Sequence, residues 1–340
     1  MITFFRRIVA FFTTLATLIS SFLGLGLNFG NKVDDFRVTA YIRASFIQSE
    51  DNIYAEDFDI ITDVILFECA SFNSVGEIII EKEMLESTLG IIRKAIGNRD
   101  VNITLNLFGP SGETDSDDWN EKMEAQSDEH NKAFTSGVLE ENIKSVLEKY
   151  GFSGVHFDYE YPISRKAWNY FNDFLVSLDK KLGDYTIGVA CSDWNLQFTT
   201  AAINAIDTFE LMAYDFNDSE GRHSTYEDTV KAANNIGLYG IPLEKINIGL
   251  PFYSRPTDMS LYWYAYNGYY EEIDENGWYH CDNLDKDFWF NTPDVIYRKT
   301  EFAVKNGYGG VMTFHYNCDL PSSDEASLLR AIGKAVSDNY

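Results

Sequence analysis

From residue 32 onward the chain alternates between two hydrophobic rhythms. Short runs rich in β-branched and aromatic residues predict eight strands, at 37–42, 64–67, 102–107, 154–158, 186–191, 209–213, 247–250 and 310–314. Between them, apolar residues recur every three or four positions and predict helices at 81–96, 136–149, 164–182, 197–205, 226–235, 293–305 and 324–337. Ser164, just after Pro162, fits the N-cap of the fourth helix, counting 81–96 as the second. Strands joined by crossovers this long run parallel. Eight repeats in one chain point to an α/β fold, a closed (β/α)8 TIM barrel over residues 32–340, acting as a monomer. An open doubly wound sheet is the alternative, but no glycine-rich phosphate loop follows the first strand.

A barrel of this kind gathers its chemistry at the C-terminal ends of its strands. That rule selects Tyr41, Glu68, Asn106, Asp158, Glu160, Ser192, Tyr214, Asp215, Tyr253, Arg255 and His315. Carboxylates and aromatics dominate this set, which holds one histidine.

Composition narrows the partners. The 340 residues carry 27 Lys and Arg against 53 Asp and Glu, a formal net charge of −26, so phosphate backbones and anionic lipid would be repelled and nucleic acid is excluded as a partner. Residues 1–31 differ: Arg6 and Arg7 precede an apolar run from Ile8 to Leu27 broken only by Ser, Thr and Gly. This reads as a signal peptide or an N-terminal membrane anchor, and so as a secreted or cell-surface protein. Four cysteines, Cys69, Cys191, Cys281 and Cys318, match no zinc spacing. Cys69 and Cys191 fall at strand ends as buried thiols, whereas Cys281 and Cys318 fall in loops and could pair. No metal site and no cofactor is expected.

The segment Gly154-Val155-His156-Phe157-Asp158-Tyr159-Glu160-Tyr161-Pro162 carries the most information. Strand alternation sets His156, Asp158 and Glu160 on one face and Val155, Phe157 and Tyr159 on the other. The apolar face suits the helix layer, and the polar face then points into the barrel mouth, with the two acids about 7 Å apart along the strand. Two carboxyl groups this close in a semi-enclosed site cannot both ionise freely, so one pKa rises, as a general acid requires.

This segment resembles the fourth-strand signature of glycoside hydrolase family 18, the chitinases and related endo-β-N-acetylglucosaminidases. Leu211 to Phe216 (LMAYDF), Gly249 to Pro256 (GLPFYSRP) and Gly309 to Asp319 (GGVMTFHYNCD) are similar to that family's motifs on strands six, seven and eight, in the same order. The resemblance implies a retaining, substrate-assisted hydrolase of β-1,4 bonds next to N-acetylglucosamine, acting on chitin or chitooligosaccharides first. It makes Glu160 the proton donor, Asp158 the residue that orients the 2-acetamido group, and Tyr214 the phenol that binds its carbonyl. Asp215, Tyr41, Arg255, Phe314 and His156 fall at substrate-binding positions.

Departures from the family pattern accompany it. His156 stands where an Asp is usual, and a protonated imidazole there would lower the pKa of Asp158. Ser153 replaces the first Asp of the motif, Phe314 the strand-eight tryptophan, and Ser254 a glycine. Between the seventh and eighth strands only about 60 residues intervene, too few for a full α+β insertion, which implies a shallow groove. The aromatic run from Tyr262 to Tyr270 falls in this interval, either as sugar platforms or as a small core of its own. Residues 113–129 read as a solvated acidic loop. The rival to the hydrolase is a catalytically silent chitinase-like lectin, against which Glu160 argues.

Overall fold

The computed structural model describes residues 36–260 and 262–339; the segment read as signal or anchor lies outside them. Strands occur at β1 (Arg37–Arg43), β2 (Asp63–Phe67), β3 (Ala70–Phe72), β4 (Ile78–Ile80), β5 (Asn102–Phe108), β6 (Gly154–Asp158), β7 (Thr186–Cys191), β8 (Thr208–Leu211), β9 (Ile246–Pro251), β10 (Tyr253–Ser254), β11 (Tyr264–Ala265), β12 (Trp278–Cys281), β13 (Lys286–Trp289) and β14 (Gly310–Phe314). Eight of them pair in parallel in the ring β1-β2-β5-β6-β7-β8-β9-β14, and β14 pairs back with β1. The sheet is therefore closed, and the barrel expected from the eight repeats is the fold.

Strand six of the sequence order, β6, behaves as its alternation demands. Outward-facing Phe157 meets Phe174 and Phe171 of helix Arg165–Leu182, with ring centroids 5.5 and 6.3 Å apart. Ser164 caps that helix by accepting a hydrogen bond from the Ala167 N–H. Tyr159 stacks on His130 at 4.0 Å and donates to Ser127 Oγ.

Those last two partners correct the reading of residues 113–129 as a loop. Trp119–Phe134 is a helix, N-capped by Asp118, whose side chain accepts from the Glu121 N–H. Acidic residues at the start of a helix are favoured by its dipole, and the buried stripe Ser127, His130, Asn131, Ala133 and Phe134 gives the charged segment something to bury. The first crossover departs in the opposite sense. Between β1 and β2 the chain makes only 3-10 turns, at Ala44–Phe46, Glu50–Asn52 and Ala55–Asp59.

The interval between β9 and β14 holds two small antiparallel pairs, β10 with β11 and β12 with β13, and among the described residues no larger insertion. Most of its aromatic run forms a local core: Tyr264 stacks between Tyr269 at 4.5 Å and Phe288 at 4.6 Å, and Tyr266 is buried. Tyr262 and Trp263 remain exposed. Cys281 lies on β12, not in a loop, and it does not pair with Cys318: all four cysteines are free thiols and buried.

Inside the barrel, the end remote from the mouth is polar. Asn247 donates to Glu210 Oε1 (2.7 Å) and to Thr39 Oγ1 (3.3 Å), and accepts from Arg37 Nε (3.1 Å). Glu210 Oε2 is buried without a partner. Burial pushes this carboxyl up to about 7, with Arg37 and the Asn247 hydrogen bond pulling the other way. A carboxyl raised in the folded state contributes stability that is complete below its unfolded value near 4.5 and is lost as the pH rises through about 7. Glu210→Gln removes that titration. In urea denaturation the stability difference should shift in favour of the variant as the pH rises from 4.5 to 8, by up to about 3 kcal/mol.

Candidate active site

β6 delivers Asp158 and, two residues past it, Glu160 to the open end of the barrel, both partly buried. Burial raises the Asp158 carboxyl well above the ordinary range, and the charge of Glu160 and a hydrogen bond shared with it push the same way. One Asp158 oxygen, Oδ1, is buried and has no partner. The Asp158 carboxyl is thus held toward its protonated form, against Glu160.

Tyr214, three residues beyond β8, shares this space. Its phenol is buried, and burial together with the charges of Tyr253, Glu160, Asp158 and Asp215 raises its pKa, so it stays a neutral donor. Its hydroxyl is hydrogen-bonded to no described residue. Phe314 at the end of β14 lies between Tyr214 (5.7 Å) and Tyr41 (5.8 Å), closing the bottom of the mouth with an aromatic face.

Asp215 is treated in the opposite way to Asp158. It adopts φ +62°, a left-handed conformation that Asp tolerates better than most residues. Its Oδ1 accepts from Arg255 Nε (2.7 Å), Tyr253 Oη (2.6 Å) and His223 Nε2 (3.2 Å), and Oδ2 from an Arg255 terminal nitrogen at 2.7 Å. Burial alone would raise this carboxyl, but the hydrogen bonds from His223, Arg255 and Tyr253 hold it well below the carboxylate range. It is a fixed anion.

His156 sits in surroundings that disfavour a protonated imidazole. It is buried, its Nδ1 and Nε2 are taken by Asn106 and Tyr41, and burial pushes its pKa down to about 3. It therefore cannot draw the Asp158 pKa down, and it reaches the mouth only through Tyr41. Among the other strand-end residues, Glu68 forms an ion pair with Arg43 (2.6 Å) and accepts from Ser45. Ser192 donates to the Trp194 carbonyl. His315 is buried among Phe46, Phe67, Phe314 and Trp263.

Two rims of the mouth are aromatic. On the β1 and β14 side, Phe46 and Trp263 flank His315 at 5.7 and 5.9 Å. Opposite them in the ring, past β6 and β7, Tyr161 and Trp194 pack at 5.3 Å. Sequence reasoning missed His223, Phe46 and Trp194. The last two follow strands β1 and β7 directly, a positional signal that was available; His223 sits eight residues after Asp215 in a loop, with none. No group of three or more His, Cys, Asp or Glu side chains is placed to hold a metal ion among the described residues.

The sequence model of Glycosyl hydrolases family 18 matches residues 63–319, spanning the barrel from β2 to beyond β14. The chain belongs to this family. It is 26% identical over 159 residues to a protein named Probable chitinase 2 of Drosophila melanogaster, a match covering 40% of this chain and 33% of that relative, so it spans about a third of the relative's length. In fold, this family 18 barrel is similar to the chitinase ChiB from the chitin utilization locus of Flavobacterium johnsoniae (TM-score 0.67, 21% identity, 89% of this chain and 94% of that one). It is equally similar to a chitinase from Bacteroides thetaiotaomicron (TM-score 0.67, 20% identity, 88% and 96%).

The Asp215 cluster of the family 18 barrel yields a direct test. Arg255→Ala removes a donor from each Asp215 oxygen and leaves His223 and Tyr253 in place. The Asp215 carboxyl should then titrate at higher pH, which ¹³C NMR of labelled aspartate would register; a titration unmoved from wild type would mean that Arg255 contributes nothing to holding the anion.

Proposed function

We propose that the protein hydrolyses β-1,4 bonds next to N-acetylglucosamine with retention of configuration, taking chitooligosaccharides or chitin first and peptidoglycan or N-glycan cores after them. The observation that carries this reading is the placement of Asp158 against Glu160, the former held toward its protonated form, in a mouth that also holds the free phenol of Tyr214. Family 18 enzymes depart from the two-carboxylate scheme because the substrate's N-acetyl oxygen attacks the anomeric carbon, so no enzymic nucleophile is required.

In this reading the three side chains meet three separate demands. Glu160 takes up the proton it shares with Asp158 and delivers it to the departing glycosidic oxygen, which leaves Asp158 ionised. Asp158 accepts the acetamido N–H and so turns the carbonyl oxygen toward the anomeric carbon. Tyr214 donates to that same oxygen and holds its direction. Water then opens the cyclic intermediate, with Glu160 taking the proton back, and both steps together retain the configuration. The aromatic rims offer stacking faces to pyranose rings on either side of the scissile bond. The arginine-flanked apolar run from Ile8 to Leu27 supports action outside the cytoplasm, either released or anchored.

A chromogenic N-acetylglucosamine oligomer tests the assignment. Glu160→Gln should lower kcat by ~10²–10⁴-fold, the usual worth of general acid catalysis, while binding of the oligomer measured by calorimetry stays within a few-fold. Tyr214→Phe should lose about tenfold through misdirection of the attacking oxygen. A wild type that turns over nothing on a broad glycan panel, yet binds as tightly as its Glu160→Gln variant, would favour the lectin.

A further inference from the structure

Asn106 and His156 stand side by side on neighbouring strands, paired in register between β5 and β6. Both are buried, at 0% and 1% exposure. His156 Nδ1 lies 2.7 Å from Asn106 Oδ1, and Nε2 lies 3.1 Å from the Tyr41 hydroxyl. With the Asn106 amide oxygen toward the ring, Nδ1 carries the hydrogen; in the neutral ring Nε2 then presents a lone pair, and the Tyr41 O–H donates to it. Both ring nitrogens are satisfied by a neutral ring, and neither meets a carboxylate. Space for the ring comes from the neighbouring strand. Gly188 of β7 is in register with His156, and a Cβ there would come within 2.8 Å of His156 Cδ2.

Asp158 projects one pleat nearer the mouth. Its hydrogen bond goes to Glu160, and its other oxygen is buried with no partner. A charged ring one pleat below would stabilise ionised Asp158 and draw the shared proton away. The titratable groups acting on the Tyr41 end of the chain are Glu210 of β8, Asp158 and Glu160 from β6, and Tyr214 beyond β8. The Asn106 end meets an uncharged amide on β5.

We propose that His156 is a positioning residue. Clamped between Asn106 and Tyr41 as the neutral Nδ1–H tautomer, it keeps the floor beneath Asp158 uncharged and confines the site's exchangeable proton to the Asp158–Glu160 pair. The Tyr41 hydrogen is committed to the ring, so its oxygen is left toward the remaining groups as an acceptor only. This assignment rests on Asp158 and Glu160 being the reacting pair.

Two measurements on the full chain test it. ¹⁵N NMR of the wild type should give His156 ring shifts of the Nδ1–H tautomer, unchanged between pH 8 and 5. Titration within that range, or the Nε2–H tautomer, overturns the proposal. His156→Gln replaces the ring with a neutral group that cannot titrate. On the chromogenic oligomer its kcat, normalised to folded protein, should fall about tenfold with KM within about twofold, and both limbs of the pH profile should stay where the wild type has them. Limbs displaced by a unit or more would mean that His156 itself titrates in turnover, and an unchanged kcat would mean that it positions nothing. The tautomer readout requires no turnover, so an inactive wild type would count against the hydrolase and leave this proposal to the NMR result.

Discussion

Two carboxyl groups this close in a half-buried site cannot both ionise freely, and the mouth of this barrel is arranged around that restriction. Asp158 and Glu160 project from one strand end into a space walled by Tyr214, Tyr41 and Phe314, and among the described residues no cation lowers the Asp158 carboxyl. A proton has to stay. The neutral phenols follow from the same condition, because an ionised tyrosine beside these acids would add a further uncompensated charge. The neutral imidazole below completes the set, and Gly188 leaves the room that it occupies.

Asp215 lies a short way around the rim under the opposite electrostatic regime. Three donors from separate stretches of chain converge on it, and Arg255 engages both of its oxygens. Its burial alone would have favoured the protonated acid. The site therefore sets a carboxyl held toward its protonated form beside one held as an anion. Such a separation of neighbouring pKa values is how one cleft supplies both an acid and a fixed negative charge at a single pH.

Much of this was legible in advance because local pattern and global topology agree. The alternation in Gly154–Asp158 located both acids, and the neighbouring helix with its Ser164 cap follows from signals confined to a few residues. Where the reading failed, the deciding partner was distant in sequence. The acidic stretch after residue 113 looked like a solvated loop because its buried stripe is visible only once Tyr159 and the helix Arg165–Leu182 are set against it. His156 was read as a possible cation because neither Asn106, fifty residues earlier, nor Tyr41, more than a hundred residues earlier, could be known to occupy its nitrogens.

The amino-acid order alone determined that eight strands would close into a barrel, and which of their ends would carry acids and phenols, since strand period and crossover length are local properties of a chain. Which of those groups is charged was decided only in three dimensions. Protonation depends on how much water is excluded and which donors arrive, and both are set by residues that meet only after the ring has closed: Arg255 and His223 at Asp215, Tyr41 and Asn106 at His156, and none of them at Asp158.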